Sequence, residues 1–259
     1  MTDRVAFTLF GLDILWYGVL VASGITLGIL VFYYRGPKRG IPRETVLDIM
    51  IFSLPAAIIG ARLYFVIFNW DYYSSDPLEI FNIRGGGLAI HGGLIAGLLV
   101  AWLVVRKKRI GFLAMADSAA PGIALGQAIG RWGNYFNGEA HGGPTDLPWA
   151  IIVDGEKVHP TFLYESIWCF LLFIFLMTFD RKPRFPGQII CLYGILYSVE
   201  RFLVEGLRTD SLMFGPFKQA QLISLAVILA CAVLYAVQHK KSPARPLGAP
   251  ERENTKEQV

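Results

Sequence analysis

Gly130-Arg131-Trp132-Gly133-Asn134-Tyr135-Phe136-Asn137-Gly138-Glu139-Ala140-His141-Gly142-Gly143 continues the apolar, glycine-spaced segment from Ala114 to Ile129 with no turn signal between them. Arg131 and Asn134 therefore fall at the end of a membrane helix or just inside it. A guanidinium near the centre of a bilayer costs about 2.5–3.5 kcal/mol on insertion scales, so it faces a wet cavity, a counter-ion or an anionic substrate. The rest of the chain reads as a frame for that charge.

Working outward, the composition excludes a soluble domain, which carries about a quarter charged residues; here 17% are charged and 54% hydrophobic. Apolar runs near the span length of about 20 residues occur at Ile14–Tyr34, Leu47–Phe68, Leu88–Val105, Phe112–Gly133, Phe162–Phe179, Gly187–Glu205 and Gln219–Val237. The expected fold is an all-α integral membrane protein of about seven transmembrane helices. One membrane domain covers 1–238 with a small outer loop and hairpin region at 135–161, and a disordered tail covers 239–259.

The basic residues orient the spans. Arg35, Lys38, Arg39 and Arg43, then Arg106, Lys107, Lys108 and Arg109, then Arg181, Lys182 and Arg184, and finally the tail residues Lys240, Lys241, Arg245, Arg252 and Lys256 share one side. Only Arg4, Arg84, Lys157, Arg208 and Lys218 reach the other. The N-terminus is thus expected outside and the C-terminus in the cytoplasm. The net charge of +4 reflects that topology and anionic lipid surfaces, giving no reason to invoke nucleic acid. The first apolar segment lacks a basic n-region and is too long for a signal peptide. Cys169, Cys191 and Cys231 all lie in apolar runs and read as small hydrophobes, neither a disulfide framework nor a metal site.

Polar residues at membrane depth carry the functional reading. Gln127, Arg131 and Asn134 share one helical face, while the Gly122, Gly126 and Gly130 ridge argues for tight helix packing. Tyr193, Tyr197, Arg201 and Glu205, spaced by four, line one face of the sixth span. Arg201 and Glu205 can simply pair; Glu165, at the start of the fifth span, can counter an arginine. Arg62 either snorkels outward or lines a polar cavity. Tyr17 beside Trp16 reads as an interface anchor.

Across the entry to the third span, Arg84-Gly-Gly-Gly-Leu-Ala-Ile-His91-Gly-Gly is a poor recipe for a helix. It suits a bent entry with amide N–H groups open to an anion. His91, with little side-chain packing around it, is suited to proton transfer near neutral pH. Glu139, His141 and His91 match no metal-ligand spacing such as His-Glu-x-x-His, and no metal or cofactor is expected. Trp149–Val153, Asp154-Gly155 and Lys157-Val158 read as a hairpin.

These motifs resemble a known family. The stretch from Gly130 to Gly142 looks like the signature of bacterial prolipoprotein diacylglyceryl transferases. Trp16-Tyr17-Gly18, Gly60-Ala61-Arg62, His91-Gly92-Gly93, His159-Pro160, Leu163-Tyr164-Glu165, Arg201-Phe202 and Glu205 fit in order. The resemblance implies an inner-membrane enzyme working toward the periplasmic side. It would move the diacylglyceryl group of phosphatidylglycerol onto the lipobox cysteine of a preprolipoprotein, releasing glycerol phosphate. It places the family's functional residues on Tyr17, His91, Arg131, Asn134, Glu139, Gly142, Tyr197, Arg201 and Glu205.

The local chemistry agrees with that implication. A thiol of pKa near 8.5 needs activation, for which His91 is the candidate base. Arg131 and Arg201 would stabilise the leaving phosphate, Asn134 and Tyr197 would orient lipid oxygens, and Glu139 and Glu205 would hold the arginines. Arg62 joins the candidate substrate-binding set. A transporter or channel for an anionic or lipid substrate is the rival reading; it would show internal repeats or paired broken helices, and the sequence has neither.

Overall fold

A computed structural model describes residues 4–83, 86–180 and 184–241. Each expected span contains a helix: α1 (Trp16–Arg35), α2 (Arg43–Phe68), α4 (Ile90–Lys107), α5 (Phe112–Asn137), α6 (Thr161–Phe179), α7 (Gln188–Leu207) and α8 (Gln219–Lys241), with a single turn α3 (Trp70–Tyr73) between the second and third. Six of them are long and apolar enough to cross a membrane, which makes this a multi-pass membrane protein. The seventh, α7, has 20 residues, about 30 Å at 1.5 Å per residue. Glu200, Arg201 and Glu205 lower its apolarity. The last helix runs to Lys241, past the expected edge of the tail, and 242–259 lie outside the described residues.

The chain forms two compact units, residues 32–115 and the pair of segments 1–31 and 116–259. In the first, α2 packs on α4 through small residues: a Cβ placed on Gly60 would stand 2.7 Å from the Gly92 carbonyl oxygen. That close approach explains a departure from expectation. Gly86 and Gly87 adopt positive φ, but His91, Gly92 and Gly93 are helical because packing supplies what propensity lacks. Arg84 and Gly85 lie outside the described residues.

In the second unit, α1 crosses α5 at glycines. A Cβ on Gly24 would stand 2.8 Å from the Gly126 oxygen, and one on Gly28 2.8 Å from the Gly122 oxygen. Two of the three ridge glycines thus serve packing, whereas nothing lies within 4 Å of a Cβ at Gly130. Ala120 and Ala124 of α5 meet Leu172 and Leu176 of α6 and Ile189 of α7 in a buried cluster. Below it, fully buried Asp117 accepts from the Gly187 N–H at 2.8 Å and the Ile190 N–H at 2.9 Å, a cap on α7 supplied by another helix. Asp117→Ala should lower unfolding stability by about 1–3 kcal/mol, read as an earlier thermal transition in detergent.

Among the described residues, three two-stranded hairpins complete this unit. The expected one is β3 (Ile151–Val153) with β4 (Glu156–Val158), turning at Asp154 (φ 50°) and Gly155 (φ 89°). The others, β1 (Val5–Leu9) with β2 (Leu12–Leu15) and β5 (Met213–Phe214) with β6 (Phe217–Lys218), lead straight into α1 and α8. Neither turn carries the Asn-Gly or Asp-Gly pair that marks a tight hairpin in sequence.

Candidate functional site

The start of α1, the end of α5, the start of α6 and the end of α7 meet at one end of the second unit. Trp16 stacks on Phe136 with ring centroids 5.2 Å apart. A Cβ on Gly133 would stand 2.8 Å from the Tyr17 ring, so glycine there admits the Tyr17 side chain against α5. Tyr193 and Tyr197 stack at 5.7 Å, one α7 turn apart, and the Tyr193 hydroxyl donates to Gln127 Oε1 at 2.8 Å.

Glu165 is the hub. Arg131 Nε approaches its Oε2 at 3.0 Å, and Arg201 Nη1 donates to its Oε1 at 2.7 Å. The Arg201 Nη2 group lies 2.7 Å from Glu205 Oε2, one turn further along α7. Two of these contacts, at Glu165 Oε2 and Glu205 Oε2, fall outside hydrogen-bonding angles and act as charge contacts. The Glu165 side chain is 0% exposed, while those of Arg131 and Arg201 are 20% and 21% exposed. The carboxylate is therefore sealed below the guanidiniums, whose outer edges stay open. Arg131 Nη2 also donates to the Tyr197 hydroxyl at 3.4 Å. Among the described residues nothing pairs with Arg131 Nη1 or Arg201 Nε, which leaves N–H donors for an anion.

Of the carboxylates expected near the arginines, Glu165 and Glu205 meet them and Glu139 does not. Glu205 holds Arg201, but Glu139 is exposed and accepts from Asn134 Nδ2 at 3.0 Å and Asn137 Nδ2 at 3.2 Å through Oε1. Glu139 lies past the end of α5, where the chain has turned away; Glu165, one turn into α6, reaches both arginines. The α7 face also conceals a residue the sequence reading missed. Glu200 is buried, with neither carboxylate oxygen hydrogen-bonded. It lies at the edge of the Tyr193–Glu205 face, three residues on from Tyr197, and its only signal was a second acidic residue in an apolar helix.

The loop after α5 is tightly determined. Buried Ala140 has a positive φ of 56°, and the Thr161 hydroxyl donates to its carbonyl. Gly142 N–H donates to His159 O at 2.9 Å, Gly143 N–H to Leu207 O at 2.9 Å, and Gly142 bridges Arg208. A Cβ on Gly142 would stand 2.7 Å from the His159 Cβ, so only glycine fits between α6 and the end of α7. Beyond α7, Arg208 donates to both Asp210 oxygens at 2.9 and 2.8 Å. That bond holds the Asp210 carboxyl below the usual carboxylate range.

His91 and Arg62 belong to the other compact unit. His91 is exposed at the start of α4, 6.3 Å between ring centroids from Tyr64. Arg62, expected to bind substrate or snorkel, gives all five N–H donors to main-chain carbonyls: Ile80 (2.8 Å), Glu79 (2.5 Å), Asn82 (2.9 Å), Gly86 (3.0 Å) and Gly87 (3.0 Å). Its guanidinium also lies over the Tyr73 ring. This geometry makes Arg62 a latch for the loop between α3 and α4 and leaves no donor for a ligand.

Fold and site together define a multi-pass α-helical membrane protein in which two guanidiniums from different helices share one buried carboxylate. The chain belongs to the prolipoprotein diacylglyceryl transferase family, whose sequence profile matches residues 4–237. It is 54% identical over 240 residues to the phosphatidylglycerol–prolipoprotein diacylglyceryl transferase of Clostridioides difficile (strain 630), covering 93% of this chain and 97% of the relative. Enzymes of the same name from Finegoldia magna and Bacillus cytotoxicus are 53% identical over 240 residues and 44% identical over 254, covering 92% and 93% of this chain and 96% and 94% of each relative.

Proposed function

We propose that this chain transfers the diacylglyceryl group of phosphatidylglycerol to the cysteine thiol of a prolipoprotein. Near-full-length identity to enzymes of that name supports the activity, and no observation favours transport. The single geometric observation behind the assignment of roles is that Arg131 and Arg201, from different helices, share Glu165.

The thiol sulfur forms a thioether bond to the glycerol carbon as the carbon–oxygen bond to phosphate breaks. Glycerol phosphate leaves, and the thiol proton passes to a base and finally to that phosphate. Arg131 and Arg201 bind the phosphate, because a guanidinium fork matches its oxygens and fixed donors stabilise the charge that grows as it leaves. Tyr17, Asn134 and Tyr197 orient the lipid, and the Gly142 loop shapes the peptide side. His91 is the proton acceptor. The protein lies in the bacterial inner membrane with its N-terminus outside, its C-terminus cytoplasmic and this site facing outward. Sixteen of the twenty-four Lys and Arg residues support that orientation.

Purified protein in detergent with phosphatidylglycerol and a lipobox peptide tests the reading. Thioether product that persists with a chelator present supports it; lipid movement without product refutes it. His91→Gln should slow turnover most at low pH, where less of the substrate thiol is ionised. An unchanged pH–rate profile would make the histidine structural.

A further inference from the structure

The last turn of α7 is gripped from outside its own helix. Lys218 Nζ donates to the carbonyls of Glu205 at 2.7 Å, Arg208 at 2.8 Å and Gly206 at 3.4 Å. A helix end leaves its last carbonyls without intrahelical donors, and they carry the negative pole of the helix. A compact ammonium with three donors suits three such oxygens. Among the described residues no carboxylate pairs with Lys218, so its whole interaction is with this main chain.

Its root is equally fixed. Lys218 pairs with Met213 in the β5–β6 hairpin, and the Gln219 N–H donates to Leu212 O at 2.8 Å. One α7 turn earlier, Gln221 Nε2 donates to Phe202 O at 3.1 Å. The beginning of α8 therefore holds α7 by its backbone at the level of Arg201 and Glu205. Leu207, inside the same gripped turn, is the acceptor for Gly143.

We propose that Lys218 is a positioning residue of the transferase site, acting through the last turn of α7 to set Arg201, Glu205 and the Gly142–Gly143 segment. The proposal rests on the assignment of Arg201 to the lipid phosphate. Nothing in the motifs points to this lysine, because it precedes a span and lies outside the Tyr193–Glu205 pattern.

Steady-state turnover and thermal melting in detergent, compared for the wild type, Lys218→Met and Lys218→Arg, test it. The Met variant should lose about tenfold or more in kcat while KM for phosphatidylglycerol stays within about twofold, because a displaced Arg201 is felt in the transition state. The Arg variant, still a cation able to bond C-terminal carbonyls, should recover most of that loss. Wild-type kcat in the Met variant, or an Arg variant as slow as the Met variant, overturns the proposal. A defect confined to KM also overturns it, since that would put the ammonium on the headgroup. Should the Met variant fail to accumulate, Lys218→Gln keeps N–H donors without charge; the same loss is expected, and wild-type kcat overturns the proposal. Absence of thioether product from the wild-type protein would instead strike the transferase reading.

Discussion

Glu165→Gln is expected to lower kcat/KM for diacylglyceryl transfer by about 10²-fold or more and to bring thermal unfolding several degrees earlier. Glu165 is a fully buried carboxylate between two arginines from different helices. The amide keeps its shape but removes the charge and turns an NH₂ group toward one guanidinium. Removing one partner of a buried ion pair costs about 3–5 kcal/mol; the arginines' partial exposure reduces that figure here. The effect on turnover should exceed the effect on folding. Water can rescue the two cations in the ground state, but not hold their forks where the leaving phosphate develops its charge. Turnover near wild type in this variant would show that the arginines keep their places without a shared counter-ion, and the proposed site would lose its hub.

Arg131→Lys and Arg201→Lys should each abolish most turnover, by about 10²-fold or more, while leaving the melting temperature close to wild type. Each guanidinium performs two tasks at once. Arg131 meets Glu165 through Nε and Tyr197 through Nη2, and Arg201 meets Glu165 and Glu205 through its two Nη groups. An ammonium can satisfy the carboxylate, which protects the fold, but a point charge cannot also present a planar pair of donors to phosphate. Kinetics with the lipobox peptide, alongside melting curves, separate the two effects. Near-wild-type rates in either variant would remove that arginine from the phosphate.

Local physics made much of this molecule readable in advance. Apolar runs of span length placed seven helices within a few residues of their observed ends, because in a bilayer backbone groups must be satisfied within the segment. The spacing of Tyr193, Tyr197, Arg201 and Glu205 put them on one face, since helical period is a property of the chain alone. Asp154-Gly155 announced its turn through the positive φ that such a pair accepts. The charged residues at membrane depth announced a polar site, because burying them without a purpose is expensive.

What needed the tertiary structure was every question of which charge meets which. Glu139 and Glu165 look equally available to Arg131 from composition, and chain direction after Asn137 decided between them. Arg62 reads like a third functional arginine until five carbonyls of a distant loop are seen to take its five donors. Gly92 and Gly93 read as a helix break until Gly60 is found packed against the first and Ala57 and Ala61 against the second. Glu200 and Lys218 had no motif at all. Periodicity and hydropathy act between near neighbours in sequence, so they reach the elements; pairing between Glu165 and Arg201, or Lys218 and the end of α7, depends on how helices are set side by side, and that is fixed only by packing of the whole.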